Sequence, residues 1–303
     1  MKRICALLLV FCCCCSGCWD YTDVTMQDYV TGVGIDRLAA GGYRVSIELQ
    51  NLSEGSANRV VESTGLGVFD AIRNAMSHAG KKLYWGHCSL IVIDETITND
   101  SLLEVLDVFN RAQDVYLNTS LAMIRGASAA DLFHTKLDTT VTAHLMHIFE
   151  NESSTRRFQK ISLWELPRSV DACGGYLLPV VTLSEDRPAL SGSAIFRKTT
   201  CLGFLSGQET LLYSLLTNSQ DGGFLDQISY DTNHSVSFGI LGNHNKITRS
   251  ENSVSIAPTV IVSLSGTNDA LDLADQNMRF SLESTVAASL EVGFRKLWQR
   301  ACA

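Results

Sequence analysis

The period of the hydrophobic pattern changes repeatedly between Val30 and Ile124, and this alternation constrains the fold more than any single motif. Val30-Thr-Gly-Val-Gly-Ile-Asp36 reads as a strand, and Tyr43, Val45, Ile47 and Leu49 recur at every second position as the next. Leu38-Ala-Ala-Gly-Gly42 joins the two into a hairpin. The polar residues Ser53 to Thr64 predict a loop. A helix fits Val68 to Ala79, with Phe69, Ile72, Met76 and Ala79 on one face and Gly80 as its stop. Leu83 to Ile93 predicts a strand whose last part, Ser89-Leu-Ile-Val-Ile93, is apolar without alternation, as in a strand covered on both faces. Leu102, Leu103, Val105, Leu106 and Phe109 form another helix, capped by Asp100 or Ser101, and Tyr116 to Ile124 returns as a strand. Strand, helix, strand, helix in this order predicts a sheet with helices over at least one face.

Ser128 to Glu150 is helical again, Asn151 to Arg157 reads as a surface loop, and Trp164-Glu-Leu-Pro167 opens a helix or turn. Three of the four prolines lie between Pro167 and Pro188, which places a domain boundary after Arg187. Beyond it, Gly192-Ser-Ala-Ile-Phe196 and Cys201 to Leu205 predict strands. Ser206-Gly-Gln-Glu209 has capping-box spacing ahead of a helix carrying Leu211, Leu212, Leu215 and Leu216. Two alternating strands follow, at Val236 to Ile240 and at Val254 to Leu264, the second demoted to a sheet edge or a bulge by Pro258. Leu282, Val286, Leu290, Leu297 and Trp298 recur at helical spacing toward the C-terminus. The expected organisation is residues 1–17, 18–28, 29–187 and 188–303: a signal, a spacer, an N-terminal α/β region and a C-terminal α+β domain.

With 46% hydrophobic and 18% charged residues in 303, the chain can bury a core, which excludes overall disorder. A formal charge of -8 argues against nucleic acid as a partner. Of ten cysteines, five (Cys5, Cys12, Cys13, Cys14 and Cys15) fall in an uncharged run behind Lys2 and Arg3. That run is too short for a permanent span, which needs about 20 residues, and it has the layout of a signal peptide. Ser16-Gly17-Cys18 closes it with small residues before a cysteine, the order of a bacterial lipoprotein signal, although Cys15 stands where most such signals carry Leu. Cys18 is then the lipid acceptor, carrying a thioether-linked diacylglycerol with palmitate-type chains that anchor without a transmembrane helix. Loss of residues 1–17 removes Lys2 and Arg3 and takes the formal charge from -8 to -10. The remaining Cys88, Cys173, Cys201 and Cys302 contain no CxxC pair, and Cys88 and Cys201 read as small buried hydrophobes.

The search for a reacting constellation yields weak candidates. There is no GxSxG, GxxxxGK[ST] or HExxH segment. Gly32-Val-Gly34 lacks the third glycine of a dinucleotide fingerprint and is better explained by close packing of a strand. His144 and His147 are three apart on a helix, without an acidic or sulfur ligand in fixed relation to them. His87-Cys88 are adjacent on the expected strand, which would point them to opposite faces. Asp36, Asp94 and Glu95 are carboxylates at strand ends, turn-forming residues first. Neither a catalytic set, a metal site nor a cofactor site is expected.

Several segments in order resemble one family. Gly17-Cys18-Trp19-Asp20, Gly32-Val-Gly-Ile-Asp36 with its alternating strand, Leu83-Tyr-Trp-Gly-His87, Asp107-Val-Phe-Asn-Arg111, Trp164-Glu-Leu-Pro167 and Gly192-Ser-Ala-Ile-Phe196 look like the Ger(x)C family, the lipoprotein C subunits of spore nutrient germinant receptors. The resemblance implies a multi-domain α+β fold of mixed sheets with covering helices. It also implies a non-enzymatic protein, anchored through Cys18 on the outer surface of the spore inner membrane beside membrane-spanning A-type and B-type subunits. Family members continue well past the position matching Trp298 to Ala303, so the last domain is expected to be incomplete. Two other readings stand beside it: a solute-binding lipoprotein serving a membrane transporter, which needs two α/β lobes around a cleft, and a lipoprotein hydrolase, which lacks a nucleophile motif. The family reading does not specify whether this subunit itself contacts a small-molecule germinant, whereas the solute-binding reading requires a bound ligand.

Overall fold

The computed structural model describes residues 3–4, 26–50, 59–99, 102–173, 175–185, 187–217, 222–230, 234–250, 253–268 and 271–302. The signal peptide apart from residues 3–4, Cys18, and the Asp100 and Ser101 caps lie outside these residues. Strands β1 (Gln27–Arg37) and β2 (Tyr43–Gln50) form the expected hairpin, with Val33 opposite Ile47 and Ile35 opposite Val45. Strand β3 (Arg59–Gly65) pairs with β2 where a loop was expected. Only Val61 of its apolar residues is fully buried, so an edge strand with a polar outer face reads as a loop.

Helix α1 (Val68–His78) buries Val68, Ala71, Ile72 and Ala75. The expected inward face was misplaced: Phe69 and Met76 are 58% and 47% exposed. Small residues take their place because the helix lies so close to β3 that a Cβ on Gly65 would come within 2.4 Å of the Ala71 amide nitrogen. The helix ends at Ala79, whose backbone turns extended at ψ 131°, not through a left-handed Gly80.

The single strand expected from Leu83 to Ile93 is two. Strand β4 (Lys82–Tyr84) runs parallel to the first residues of β1, and β5 (Leu90–Asp94) runs parallel to β1 from Gly32 onward. Between them Trp85 turns inward to meet Phe109 edge-on, ring centroids 6.0 Å apart, and this takes the chain out of the ladder. A 3-10 turn (Glu95–Asn99) leads to helix α2 (Leu102–Arg111) and then to β6 (Ser120–Arg125), parallel to β5. Tyr116 to Thr119, expected in that strand, form the turn before it.

The predicted helical stretch 128–150 is broken into α3 (Ala129–Phe133) and α4 (Val141–Glu150), with a further turn, α5 (Glu152–Thr155), inside the expected surface loop. Helix α6 (Glu165–Cys173) follows, then β7 (Gly175–Ser184), parallel to β6, and two hairpin returns through β8 (Arg187–Arg197) and β9 (Thr200–Leu205). The expected boundary after Arg187 falls at the β7–β8 turn, where Ser184 faces Arg187, and the nine-stranded sheet continues across it in the order β3-β2-β1-β5-β6-β7-β8-β9, with β4 beside β1. One face of this sheet packs Val33, Ile35, Ile91 and Ile93 against α1, α2 and α6. The other packs Leu90, Val92, Ala122 and Ile124 against α3 and α4. The unalternating run of β5 is thus covered on both sides, as its pattern predicts.

Helix α7 (Gly207–Leu216) opens on the predicted capping box: the Glu209 amide donates to Ser206 Oγ at 3.2 Å and the Ser206 amide to Glu209 Oε2 at 2.8 Å. Strands β10 (Phe224–Ser229), β11 (Ser235–Ser250) and β12 (Ser253–Thr267) form a three-stranded antiparallel sheet, and α8 (Gln276–Cys302) crosses it. Pro258 lies in the edge strand β12, opposite Asn245, as its missing N–H predicts. Leu211, Leu215, Phe238, Ile240, Leu282 and Val286 make this second core. The two units meet at Leu177, Leu205 and Leu297, where Arg300 donates to Glu209 Oε1 at 2.5 Å and to the Phe204 carbonyl at 2.6 Å.

Candidate functional site

The strand-end carboxylates singled out in the sequence are engaged structurally. Asp36 is 2% exposed, and its two oxygens accept from the Ala129 and Ala130 amides at 2.6 and 3.0 Å, the free donors at the start of α3. Burial pushes its pKa up from 3.8 to about 6. Those two hydrogen bonds and Arg44, at 3.7 Å, oppose the rise and nearby Asp94 adds to it. Asp94 accepts from the Thr96 amide in an Asx turn, and Glu95 accepts from the Gly126 amide at 2.9 Å and faces Arg125 at 3.6 Å.

Glu48 repeats the Asp36 arrangement one strand over. Buried at 1% exposure, it accepts from the Val141 and Thr142 amides at the start of α4, at 2.7 and 3.1 Å, and from Thr31 Oγ1 at 2.9 Å. Sequence reasoning missed it because Glu48 alternates with Ile47 and Leu49 on what reads as the solvent face of a hairpin. Gly32 and Gly34 lie on that same face: a Cβ on Gly32 would come within 2.1 Å of Thr142 Oγ1, and one on Gly34 within 2.9 Å of Ala129 Cβ and Phe133. Two glycines for close approach and two carboxylates for helix N-termini dock α3 and α4 on the sheet. The GVG segment is a packing device.

His87 and Cys88 lie in the turn between β4 and β5, not on a strand. Cys88 is 1% exposed with its thiol pushed up to about 12 by burial, the opposite of a nucleophile's environment. His87 is exposed and packs against Tyr29 and Tyr84, centroids 5.2 and 5.8 Å away. His144 Nε2 lies 3.2 Å from the Pro188 carbonyl, while His147 is exposed on the next turn. Among the described residues no group of three His, Cys, Asp or Glu side chains is placed to hold a metal ion. Cys201 is half-buried and its thiol is pushed up, first by burial.

A groove of about 900 Å³ lies between β12 and α8. Ile256, Val260, Val262 and Leu264 of β12 face Leu282, Val286, Leu290 and Phe294 of α8 across it, and Trp298 stands at one end, 54% exposed. Arg279, Glu283, Glu291 and Arg295 rim the helix side, the last two paired at 2.7 Å. Among the described residues β12 is an edge strand, and an apolar trough beside such an edge offers contact area and backbone hydrogen bonds, the means by which protein segments associate. Among the described residues no helix is long and apolar enough to cross a membrane.

The family model described as the spore germination protein N-terminal domain matches residues 20–183. Spore germination protein KC of Bacillus subtilis (strain 168) is 28% identical over 127 residues, covering 37% of this chain and 31% of that protein. Spore germination protein A3 of the same strain is 22% identical over 257 residues, covering 80% of this chain and 66% of that protein. In these alignments the chain spans less than two thirds of each relative's length. The crystal structure of the GerBC protein superposes with a TM-score of 0.52 at 17% identity, covering 88% of this chain and 80% of that one, and so shares the multi-domain α+β fold. With more than half its length matched and the ordered segments in place, the chain belongs to the spore germination protein N-terminal domain family, the Ger(x)C proteins.

Proposed function

We propose that the chain is the lipid-anchored C subunit of a nutrient germinant receptor, acting by assembly with membrane-spanning A-type and B-type subunits and not by catalysis. The observation that carries this reading is the family match over residues 20–183, which opens two residues past Cys18. The absorption of Asp36, Glu48 and the glycine pair into helix docking supports it, because the chemistry-bearing residues of the sheet are occupied in holding the body together. The outer surface of the spore inner membrane is the location this implies, with Cys18 as the lipid attachment.

Deleting the gene should delay nutrient-triggered germination while germination by calcium dipicolinate persists; a normal nutrient response would overturn the reading. Cys18→Ala should release the chain from membrane fractions, and retention of the variant would show that the anchor lies elsewhere. The solute-binding alternative, a lipoprotein delivering a ligand to a transporter, is tested by the neighbouring genes: an ATP-driven permease would favour it, and two multi-spanning germination subunits would not.

A further inference from the structure

Strands β1, β5 and β6 are adjacent and parallel, so their N-terminal ends share one end of the sheet. The register places Gln27 beside Lys82, and Leu90 beside Ser120, which brings His87 and Leu117 to a common level three residues ahead of their strands. Three contacts join this end into one surface: His87 packs on Tyr29, the Cys88 carbonyl accepts from Thr119 Oγ1 at 2.7 Å, and the Trp164 amide donates to the Leu117 carbonyl at 3.1 Å. Its outermost side chains are large, apolar or amphipathic, and exposed: Met26 at 63%, Tyr116 at 60%, Leu117 at 49% and Trp164 at 44%, with Lys82 and His87 also exposed. The acids nearby are Asp28, engaged by Arg59; Glu165, engaged by Ser162; and Asp114, which is exposed.

We infer that this end of the sheet rests on the lipid bilayer surface, with Tyr116, Leu117 and Trp164 seated at headgroup level and Lys82 against anionic phosphates. The inference rests on the lipid anchor of the proposed function for its tether. Seven residues lie between Cys18 and Met26, a chain length that reaches at most about 28 Å, so a chain anchored at Cys18 enters the fold at this end and presents it first to the membrane. Tyr and Trp with an apolar body and a polar tip are the side chains of bilayer interfaces, and a Lys at their edge adds attraction to anionic lipid.

The test is quenching of tryptophan fluorescence by phospholipids brominated near the glycerol, in phosphatidylcholine–phosphatidylglycerol vesicles, on a Trp19→Phe background. With the full-length chain on such vesicles, a quenched component should be present that Trp164→Phe abolishes and Trp298→Phe leaves. Lys82→Glu should weaken the quench in these vesicles and not in phosphatidylcholine alone. Because the anchor is itself a proposal, the same measurement is made with residues 1–18 replaced by a hexahistidine tag held on a nickel-chelating lipid. Vesicle-held protein whose Trp164 is unquenched in that form overturns the inference whatever the outcome at Cys18. Release by Cys18→Ala concerns only the anchor. Slowed amide exchange at 114–118 on the vesicles supports the same face, and unchanged exchange there counts against it.

Discussion

The two sheets of this protein are built to opposite standards of closure. The nine-stranded sheet has helices on both faces, and its longest central strands lie between two cores in which side chains such as Phe109, Phe158 and Ile35 are almost wholly removed from water. Among the described residues the three-stranded sheet has helices, α7 and α8, on one side only, and the 27 residues of α8 leave Phe280, Val292 and Trp298 more than half exposed. The first unit draws its stability from dense packing, whereas the second has an open trough and, among the described residues, an unpaired edge at β12.

The largest effect should expose that contrast directly. Phe109→Ala removes a 1%-exposed ring packed on Trp85 and should cost about 3–5 kcal/mol in urea unfolding. Phe294→Ala, in the trough and only half-buried, should cost less than about 1 kcal/mol, since part of its surface is already in water. Equal losses at the two sites would erase the distinction between the units.

Gly32→Val ranks next, at about 3 kcal/mol, because its branched side chain enters the space already held by Thr142 Oγ1 and Phe133. The matching change at Gly266 of β12, where an added Cβ has only Ser237 Cβ at 4.0 Å, should fall within about 0.5 kcal/mol by the same measurement. A mild Gly32→Val would mean that α4 does not lie against β1.

Asp36 gives the packed unit a pH signature. Its folded pKa, about 6, is above the ordinary 3.8, so between these values the folded chain holds a proton that the unfolded chain has lost. The associated stability is fully present below about pH 4 and is lost as the pH rises through 6, by roughly 2–3 kcal/mol in all. Asp36→Asn should flatten the urea midpoint across that window. A midpoint that keeps its decline in the variant would assign the proton to another group.

What could be read in advance divides along the same line. The hairpin β1–β2, the doubly covered β5, the capping box at Ser206 and Glu209 and the edge position of Pro258 each depend on local pattern, and each stands in the structure. The strand at Arg59–Gly65 was illegible because an edge strand needs only one good apolar contact, here Val61. The break between β4 and β5 was hidden because Trp85 leaves the ladder for a partner, Phe109, that is distant in sequence. Glu48 escaped notice for the most general reason: alternation tells which residues share a face but not whether a helix from ninety residues later covers it. The apolar trough shows only when β12 and α8 are brought together, and the lipid attachment that Ser16-Gly17-Cys18 leads one to expect falls outside the described residues.

The smallest expected effect concerns the joint between the two designs. Arg300 reaches from the last turn of α8 to Glu209, the capping residue of α7, and to the Phe204 carbonyl at the end of β9. Its side chain is about half exposed, so the ion pair contributes little by itself, and with the carbonyl contact Arg300→Ala should cost about 1 kcal/mol. Its location makes that loss informative. Among the described residues Leu297 is the one of α8 in the small core shared with Leu177 and Leu205, so Arg300 and Leu297 together hold the end of α8 to the first unit. If the second unit is held in place there, Arg300→Ala should speed amide exchange at the C-terminal turns of α8 while the centre of β5 keeps its full protection. Equal acceleration in both would mean that the units open as one, and that the trough is no looser than the packed sheet it adjoins.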